Sequence, residues 1–181
     1  FSVKGNSSDE NYNNDGATGD RALAVGVAAK AGGLKATALT GGNASGDFSF
    51  AVGNNAQAKG WGAVAIGAGT LAEKQGTVAI GHGAKAYSLE SVALGYNTQA
   101  GAPSGQPGAG NHAQTAMGSG TIATGGAATA FGFESVASGA HAIAGGNKAK
   151  ATGQDSVALG NDTKASGTWS VALGSDTKAE G

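Results

Sequence analysis

The sequence predicts an all-β solenoid built from flat, two-sided coils. A short phrase, Val-Ala-Leu-Gly or a close variant, recurs eleven times in 181 residues, usually with an Ala five residues after the Gly. The spacing is fourteen residues at eight of the ten steps. A short fixed period, in which no unit can bury an apolar face alone, is typical of stacked coils. The copies begin at Leu23, Thr37, Phe50, Val64, Val78, Val92, Thr115, Thr129, Ile143, Val157 and Val171.

Two steps depart from the period. The step from Thr37 to Phe50 has thirteen residues, and the step from Val92 to Thr115 has twenty-three, one period plus nine. The insertion, roughly residues 102–110, holds both prolines, so we expect a loop that leaves the coil without disturbing the register. Residues 1–20 do not repeat and are rich in Asn, Asp, Ser and Gly. They are predicted to form a polar cap on a β-roll that spans residues 21–181.

Composition narrows the function classes. With 35 Gly and 6% aromatic residues, the chain has few large side chains for a thick core. A net charge of −1 gives no electrostatic case for nucleic acid or an anionic membrane, and the lack of cysteine excludes disulfides and thiolate metal sites. No signal peptide and no apolar run of transmembrane length is found. Because the chain starts at Phe1 and still repeats at Gly181, we expect it to be a piece of a longer protein.

Each fourteen-residue period is long enough for two strands and two tight turns. In the copy that begins at Val157, residues 156–159 are predicted to form the first strand, and residues 163–166 the second. Along the second strand, Thr163 and Ala165 fall on a face that is predicted to be buried, while Lys164 falls on the face that is predicted to be exposed to solvent. The first strand is apolar on both faces, which predicts burial on both. The Gly that ends it is predicted to have a positive φ.

The second residue of every phrase is Ala, and this column predicts the surface where copies of the chain associate. Sheets packed at about 10 Å need large side chains between them, which would leave the Ala column outside as a smooth stripe. The alternative is that these Ala residues lie in an exposed strand and have no role in association. In the third column the bulky Phe131 lies beside Gly145, so volume is compensated. The predicted seam comprises Ala24, Ala38, Ala51, Ala65, Ala79, Ala93, Ala116, Ala130, Ala144, Ala158 and Ala172.

The run Ser156-Val157-Ala158-Leu159-Gly160, repeated at 91–95 and 170–174, closely resembles the head repeats of trimeric autotransporter adhesins, the YadA-like surface proteins of Gram-negative bacteria. The resemblance covers about residues 21–181. It implies a left-handed parallel β-roll and three identical chains around one axis. Repetition alone supports a cyclic homo-oligomer, and the number three comes from the resemblance.

The resemblance also implies a function. The family's heads project from the bacterial outer membrane and attach to host cells and to matrix proteins of the collagen, fibronectin and laminin class. Neither the coiled-coil stalk nor the membrane barrel that carries such heads is found in this sequence. No enzymatic activity, cofactor or nucleic-acid partner is expected.

Three other classes of protein can be built from short repeats of this kind. A hexapeptide-repeat acyltransferase is also a solenoid, but its coils are three-sided with eighteen residues. An ice-binding solenoid needs a flat exposed array of Thr. A purely structural spacer is the third. The predicted outer face of the second strand carries lysines where an ice-binding solenoid would carry Thr: Lys30, Lys85, Lys150, Lys164 and Lys178.

The titratable residues do not converge on a catalytic or metal site. Asp162 and Asp176 occupy one turn column, with Glu134 two coils before Asp162, and they are expected to be solvated since no Ca²⁺-loop spacing is present. The histidines occupy unrelated repeat positions and are predicted to be exposed turn residues: His82, His112 and His141.

One break in the pattern predicts a contact site. The outer-face position that is Lys in five copies becomes Ile122 and Val136 in adjacent coils, with Phe133 in the turn before Val136. A small exposed apolar patch can mark a binding surface. Alternatively, the inserted loop folds over the patch, or the substitutions are scatter.

Overall fold

A computed structural model describes residues 15–106, 108 and 112–181. In these residues the chain forms eleven coils, and each coil contributes one strand to each of two eleven-stranded parallel sheets. No helix occurs in the described ranges, so none could cross a membrane there. The predicted all-β, two-sided solenoid is confirmed. At about 4.8 Å per coil, the roll is roughly 50 Å long.

The first sheet holds the strands that contain the repeated phrase. They are β1 (Leu23–Val25), β3 (Thr37–Leu39), β5 (Phe50–Val52), β7 (Val64–Ile66), β9 (Val78–Ile80), β11 (Val92–Leu94), β13 (Thr115–Ser119), β15 (Thr129–Phe133), β17 (Ile143–Asn147), β19 (Val157–Asn161) and β21 (Val171–Ser175).

The second sheet holds shorter strands, each of two residues. They are β2 (Lys30–Ala31), β4 (Asn43–Ala44), β6 (Gln57–Ala58), β8 (Leu71–Ala72), β10 (Lys85–Ala86), β12 (Gln99–Ala100), β14 (Ile122–Ala123), β16 (Val136–Ala137), β18 (Lys150–Ala151), β20 (Lys164–Ala165) and β22 (Lys178–Ala179).

The register is continuous from the first coil to the last. Across the insertion, Val92 pairs with Thr115 and Gln99 pairs with Ile122, so the extra residues do not shift either sheet. Residues 107 and 109–111 of the insertion lie outside the described residues, as do residues 1–14 of the predicted cap. At the start of the described chain, Ala17 forms a parallel bridge with Ala31. Residue 17 therefore extends the second sheet beyond the first coil.

The second strand is shorter than the four residues that the sequence predicts. In the sample copy, β20 is preceded by Asp162, whose φ is +49°, and followed by the return turn at Gly167. These two corners limit the regular strand to two residues. Hydrogen bonds between coils still flank it, as from the Lys150 N–H to the Thr163 carbonyl at 2.8 Å.

The core is made of small side chains, which overturns the predicted facing of the first strand. Every buried apolar residue in the described chain is Ala. In the repeated-phrase column, Ala38 through Ala158 are fully buried, Ala172 is nearly so, and Ala24 in the first coil is half-buried. These side chains point between the two sheets of their own chain, so the Ala column is not a surface. The predicted Ala seam is wrong: Ala24, Ala38, Ala51, Ala65, Ala79, Ala93, Ala116, Ala130, Ala144, Ala158 and Ala172 lie inside the roll.

The physical reason is the short coil. Two tight corners and a two-residue second strand bring the sheets too close for the side-chain layer of an ordinary β-sandwich, which is about 10 Å thick. Only Ala, Ser, Thr and Gly fill most of that space. Ser156 closes its turn by donating its hydroxyl to the Gly153 carbonyl at 2.7 Å, and Ser91 does the same to Ser88 at 2.7 Å. These two hydroxyls thus satisfy turn carbonyls at the corners of the core.

The two faces of the second strand are as predicted. Thr163 and Ala165 are buried, whereas Lys164 is exposed. The corner glycines are also confirmed, because the Gly that ends the phrase has a φ between 102° and 135° in all ten copies that carry it. A Cβ on Gly160 would collide with the Gly174 carbonyl of the next coil. These glycines are therefore required by both the backbone angle and the close stacking of coils.

Candidate functional site

The outer face of the first sheet is an uninterrupted uncharged surface. It consists of two side-by-side columns, the first and third residues of every phrase. The first column is Leu23, Thr37, Phe50, Val64, Val78, Val92, Thr115, Thr129, Ile143, Val157 and Val171. The third-residue column is Val25, Leu39, Val52, Ile66, Ile80, Leu94, Met117, Phe131, Gly145, Leu159 and Leu173. We call this surface the first-sheet face.

Many of these side chains are exposed in the single chain. Ile80 is 37% exposed, Phe131 is 39% exposed and Leu173 is 58% exposed. The strip is roughly 50 Å long and two residues, about 7 Å, wide. A long uncharged strip of this kind is typical of contact surfaces. The first-sheet face is therefore the candidate for the role that the sequence assigned to the Ala column.

The predicted volume compensation is present on this face. The ring of Phe131 occupies the space that a Cβ on Gly145 would fill in the next coil. Phe131 and Met117 are each 39% exposed, so the compensation operates on the outside of the roll, not between its sheets. A bare Gly beside a large ring keeps the face level.

The outer face of the second sheet, which we call the second-sheet face, is polar along most of its length. Lys85, Lys150 and Lys164 are exposed there, as predicted. Ile122 and Val136 lie side by side in register and are both half-buried. Phe133 is 45% exposed at the end of β15, three residues before Val136. The two aliphatic residues are thus adjacent, and their role in binding stays a prediction.

The predicted turn residues form no metal or catalytic cluster in the described chain. His82, His112 and His141 are exposed, and no group of three or more His, Asp or Glu side chains is close enough to hold an ion. Lys148 falls between Glu134 and Asp162 in the repeat, so a cation separates these two carboxylates.

One acidic residue has a defined local partner. His141 Nδ1 lies 2.9 Å from the Asp155 carboxylate in the next coil. This contact, with a smaller contribution from the Gln154 side chain, lowers the pKa of Asp155. The pair is exposed and joins consecutive return turns, each residue lying two positions before a strand of the first sheet.

Sequence inspection missed two aromatic contacts at the coil corners. The rings of Phe48 and Trp61 are 5.6 Å apart, and His82 stacks on Tyr96 at 5.5 Å. Both pairs join neighbouring coils. His82 and Tyr96 are one fourteen-residue period apart, so spacing alone places them side by side. Phe48 and Trp61 are thirteen residues apart and lie in adjacent columns of neighbouring turns, so the period does not point to this pair.

Comparison with known proteins identifies the repeat. A family model described as the YadA head domain repeat (2 copies) matches residues 17–39, 44–70, 72–98, 115–135, 123–149 and 151–181. No curated protein matches the chain. The matched segments cover most of the eleven coils on both sides of the insertion. The chain therefore belongs to the family of YadA-like heads of trimeric autotransporter adhesins.

Proposed function

We propose that the chain is an adhesin head that assembles as a homotrimer through its first-sheet face and attaches a bacterial surface to host cells and matrix proteins. The observation that supports this proposal is the uncharged strip that runs along all eleven coils while the opposite face carries lysines. Family membership supports the number three, the left-handed coil and the location on the outer membrane. The role is structural attachment, without catalysis.

The geometry suits a closed assembly. A straight strip on one side of a rod can pack against the same strip on copies related by a rotation axis parallel to the rod. Three chains would then bury their first-sheet faces around that axis and turn their second-sheet faces outward. Repeated outward surfaces on one particle strengthen weak attachment through avidity.

We also propose that the apolar break on the second-sheet face contributes to attachment. Ile122 and Val136 replace Lys in adjacent coils, and the exposed Phe133 lies at the neighbouring corner. In the trimer this patch would occur three times. Collagen, fibronectin and laminin are the partner class to test.

The test compares attachment of the parent chain and the double variant Ile122→Lys, Val136→Lys. The matched control is Asn43→Lys, Gln57→Lys, which adds the same charge in two adjacent coils of the same column, away from the patch. Immobilised chains are incubated with cultured host cells and with each matrix protein. We expect the parent and control to bind equally, and the patch variant to bind less with its trimer intact. A parent that binds no cell and no matrix protein contradicts the adhesin proposal, and equal binding by the patch variant contradicts the patch alone.

A further inference from the structure

An exposed aromatic pair lies at the return turn, where each coil passes from its second strand to the next first strand. Phe48 and Trp61, in consecutive turns, have ring centroids 5.6 Å apart with the planes inclined at 57°. Phe48 is 45% exposed and Trp61 is 56% exposed. We call this pair and the turn residues beside it the aromatic edge.

Phe48 adopts a backbone conformation that costs free energy, and a neighbouring cation packs on its ring. Phe48 has a φ of +57°, a conformation that is unfavourable for a bulky side chain. The ammonium group of Lys35 lies 5.2 Å from the Phe48 ring centroid, which fixes that ring from the side of the preceding turn. The solvent-facing surface of Trp61 is thus supported by a ring that is itself immobilised.

The backbone beside the rings carries no side chains, because glycines occupy the next positions. The next two residues in the Phe48 column are Gly62 and Gly76, and a Cβ built on Gly62 would meet no atom within 4 Å. The side chain of Glu90 reaches across Gly76, since its Cγ lies 3.6 Å from the Cβ position there. These residues line an open strip of surface, which we call the niche. The two aromatic rings lie at one end, the glycines in the middle and the Glu90 side chain at the other end.

The polar groups of the niche are mainly hydrogen-bond acceptors. Asp47 Oδ1 accepts the Leu34 N–H at 2.9 Å, which turns this carboxylate toward the preceding coil and places a negative charge at the aromatic end of the niche. Gln75 lies one coil after Trp61 in the same column and is exposed, as is Glu90. With the ammonium group of Lys35 packed on the Phe48 ring, the two carboxylates leave the niche with a net negative charge, which disfavours an anionic ligand and favours one rich in hydroxyl donors.

From these features we propose that the aromatic edge binds a neutral pyranoside. The C–H face of the sugar ring packs on Trp61 above Gly62, and its hydroxyls donate to Gln75 and to Glu90, whose side chain reaches back over Gly76. A ring with a continuous C–H face, such as a galactoside, fits best. The inference rests on the proposed function only for the source of the sugar, which would be a host-surface glycan.

A proline-rich peptide is the main rival, because aromatic surfaces also recognise polyproline segments. Such a peptide has few donors for the acceptors of the niche. Association between copies of the chain is the second rival, and it predicts that loss of the rings lowers the oligomeric mass.

The test uses the whole chain and ligand-observed saturation-transfer NMR with methyl β-galactoside, methyl β-glucoside, methyl β-glucuronide and a proline-rich peptide. We expect a neutral glycoside to saturate at about millimolar concentration, as suits a ligand of this size, and the glucuronide to bind more weakly. Trp61→Ala should weaken binding about tenfold or more. The chain has two Trp residues, and Trp169 is 75% exposed at another return turn, so Trp169→Ala is the matched control.

Phe48→Gly separates binding from stability. It removes the supporting ring while relieving the positive φ, so the melting temperature should stay the same or rise as sugar affinity falls. The proposal is overturned if neither neutral glycoside binds, if Trp61→Ala binds as well as Trp169→Ala, or if the peptide alone binds. A lower molar mass for Trp61→Ala or Phe48→Gly would also overturn it. Because these measurements use no cells, sugar binding and host attachment can fail independently.

Discussion

The two outer faces of the roll have the same repeat and the same strand direction, yet they differ in chemistry. The first-sheet face presents mostly Val, Ile, Leu and Phe, with Thr in three coils and no charged residue, whereas the second-sheet face presents Lys, Gln and Asn with apolar breaks at Leu71 and at Ile122 and Val136. Between them lies a core whose buried apolar residues are all Ala. The size distribution in this fold is therefore inverted relative to an ordinary β-sandwich: small residues fill the interior of the chain, and the large apolar residues lie on its outer face.

The largest expected effect is at the core between the two faces. Ala93→Asp places an unpaired charge in a fully buried position, at a cost of at least about 4 kcal/mol, comparable with the whole stability of a small domain. We expect the chain to lose its β-sheet circular dichroism. If this variant stays folded and loses only its association, Ala93 faces outward and the inverted arrangement is wrong.

The next effect distinguishes the two outer faces. Ile80→Asp with Leu94→Asp puts two charges on the first-sheet face, and we expect a folded chain that no longer associates, because charges buried in the assembly cost several kcal/mol each. The control, Lys85→Asp with Gln99→Asp, changes the second-sheet face in the same two coils. It should keep its molar mass in analytical ultracentrifugation. Equal loss of mass in both variants would remove the distinction between the faces.

A smaller effect is expected at the corners that join the faces. Lys148 has a φ of +55° in a turn position that other coils fill with Gly. Lys148→Gly should raise the free energy of unfolding by about 1 kcal/mol, since Gly accepts this conformation without strain. Thermal denaturation measures the change. Lys150→Gly, two residues later in β18, is the control and should destabilise the chain.

The smallest effect is expected from the insertion. Deleting residues 103–111 restores the fourteen-residue step while keeping the buried Ala102 and Ala113, whose φ is +57° like the other residues of its turn column. Shortening a loop changes closure entropy by less than about 1 kcal/mol, so folding and association should persist. A large fall in melting temperature would show that the insertion packs against one of the faces.

Much of the fold was predictable because the period is a property of the sequence. The register, the coil count and the positive φ at the phrase-ending Gly, such as Gly160, follow from fourteen-residue spacing and residue type. Which face of the first strand points inward was not predictable. Val157 and Ala158 are both apolar, so alternation alone does not say which of them is buried. A signal was present in the sequence: apart from Gln114, the inward positions of both strands, such as Ser156, Ala158 and Ala165, are small.

The sites were less predictable than the fold. The pairing of Ile122 with Val136 followed from register, but the aromatic edge depends on ring orientations and on the open space over Gly62. Spacing alone does not give these. Gln114 is a further case, since it is fully buried without a hydrogen-bond partner for its amide in a column otherwise filled by Ala, Ser and Thr. Nothing in the repeat predicts a large polar residue there.

The molar mass of the parent chain in dilute solution tests the central claim most directly, because an apolar strip of this length should not remain in water. Sedimentation equilibrium should give three times the 17.1 kDa of one chain, unchanged by high salt because the face carries no charge. A stable 17.1 kDa monomer at micromolar concentration would contradict the account.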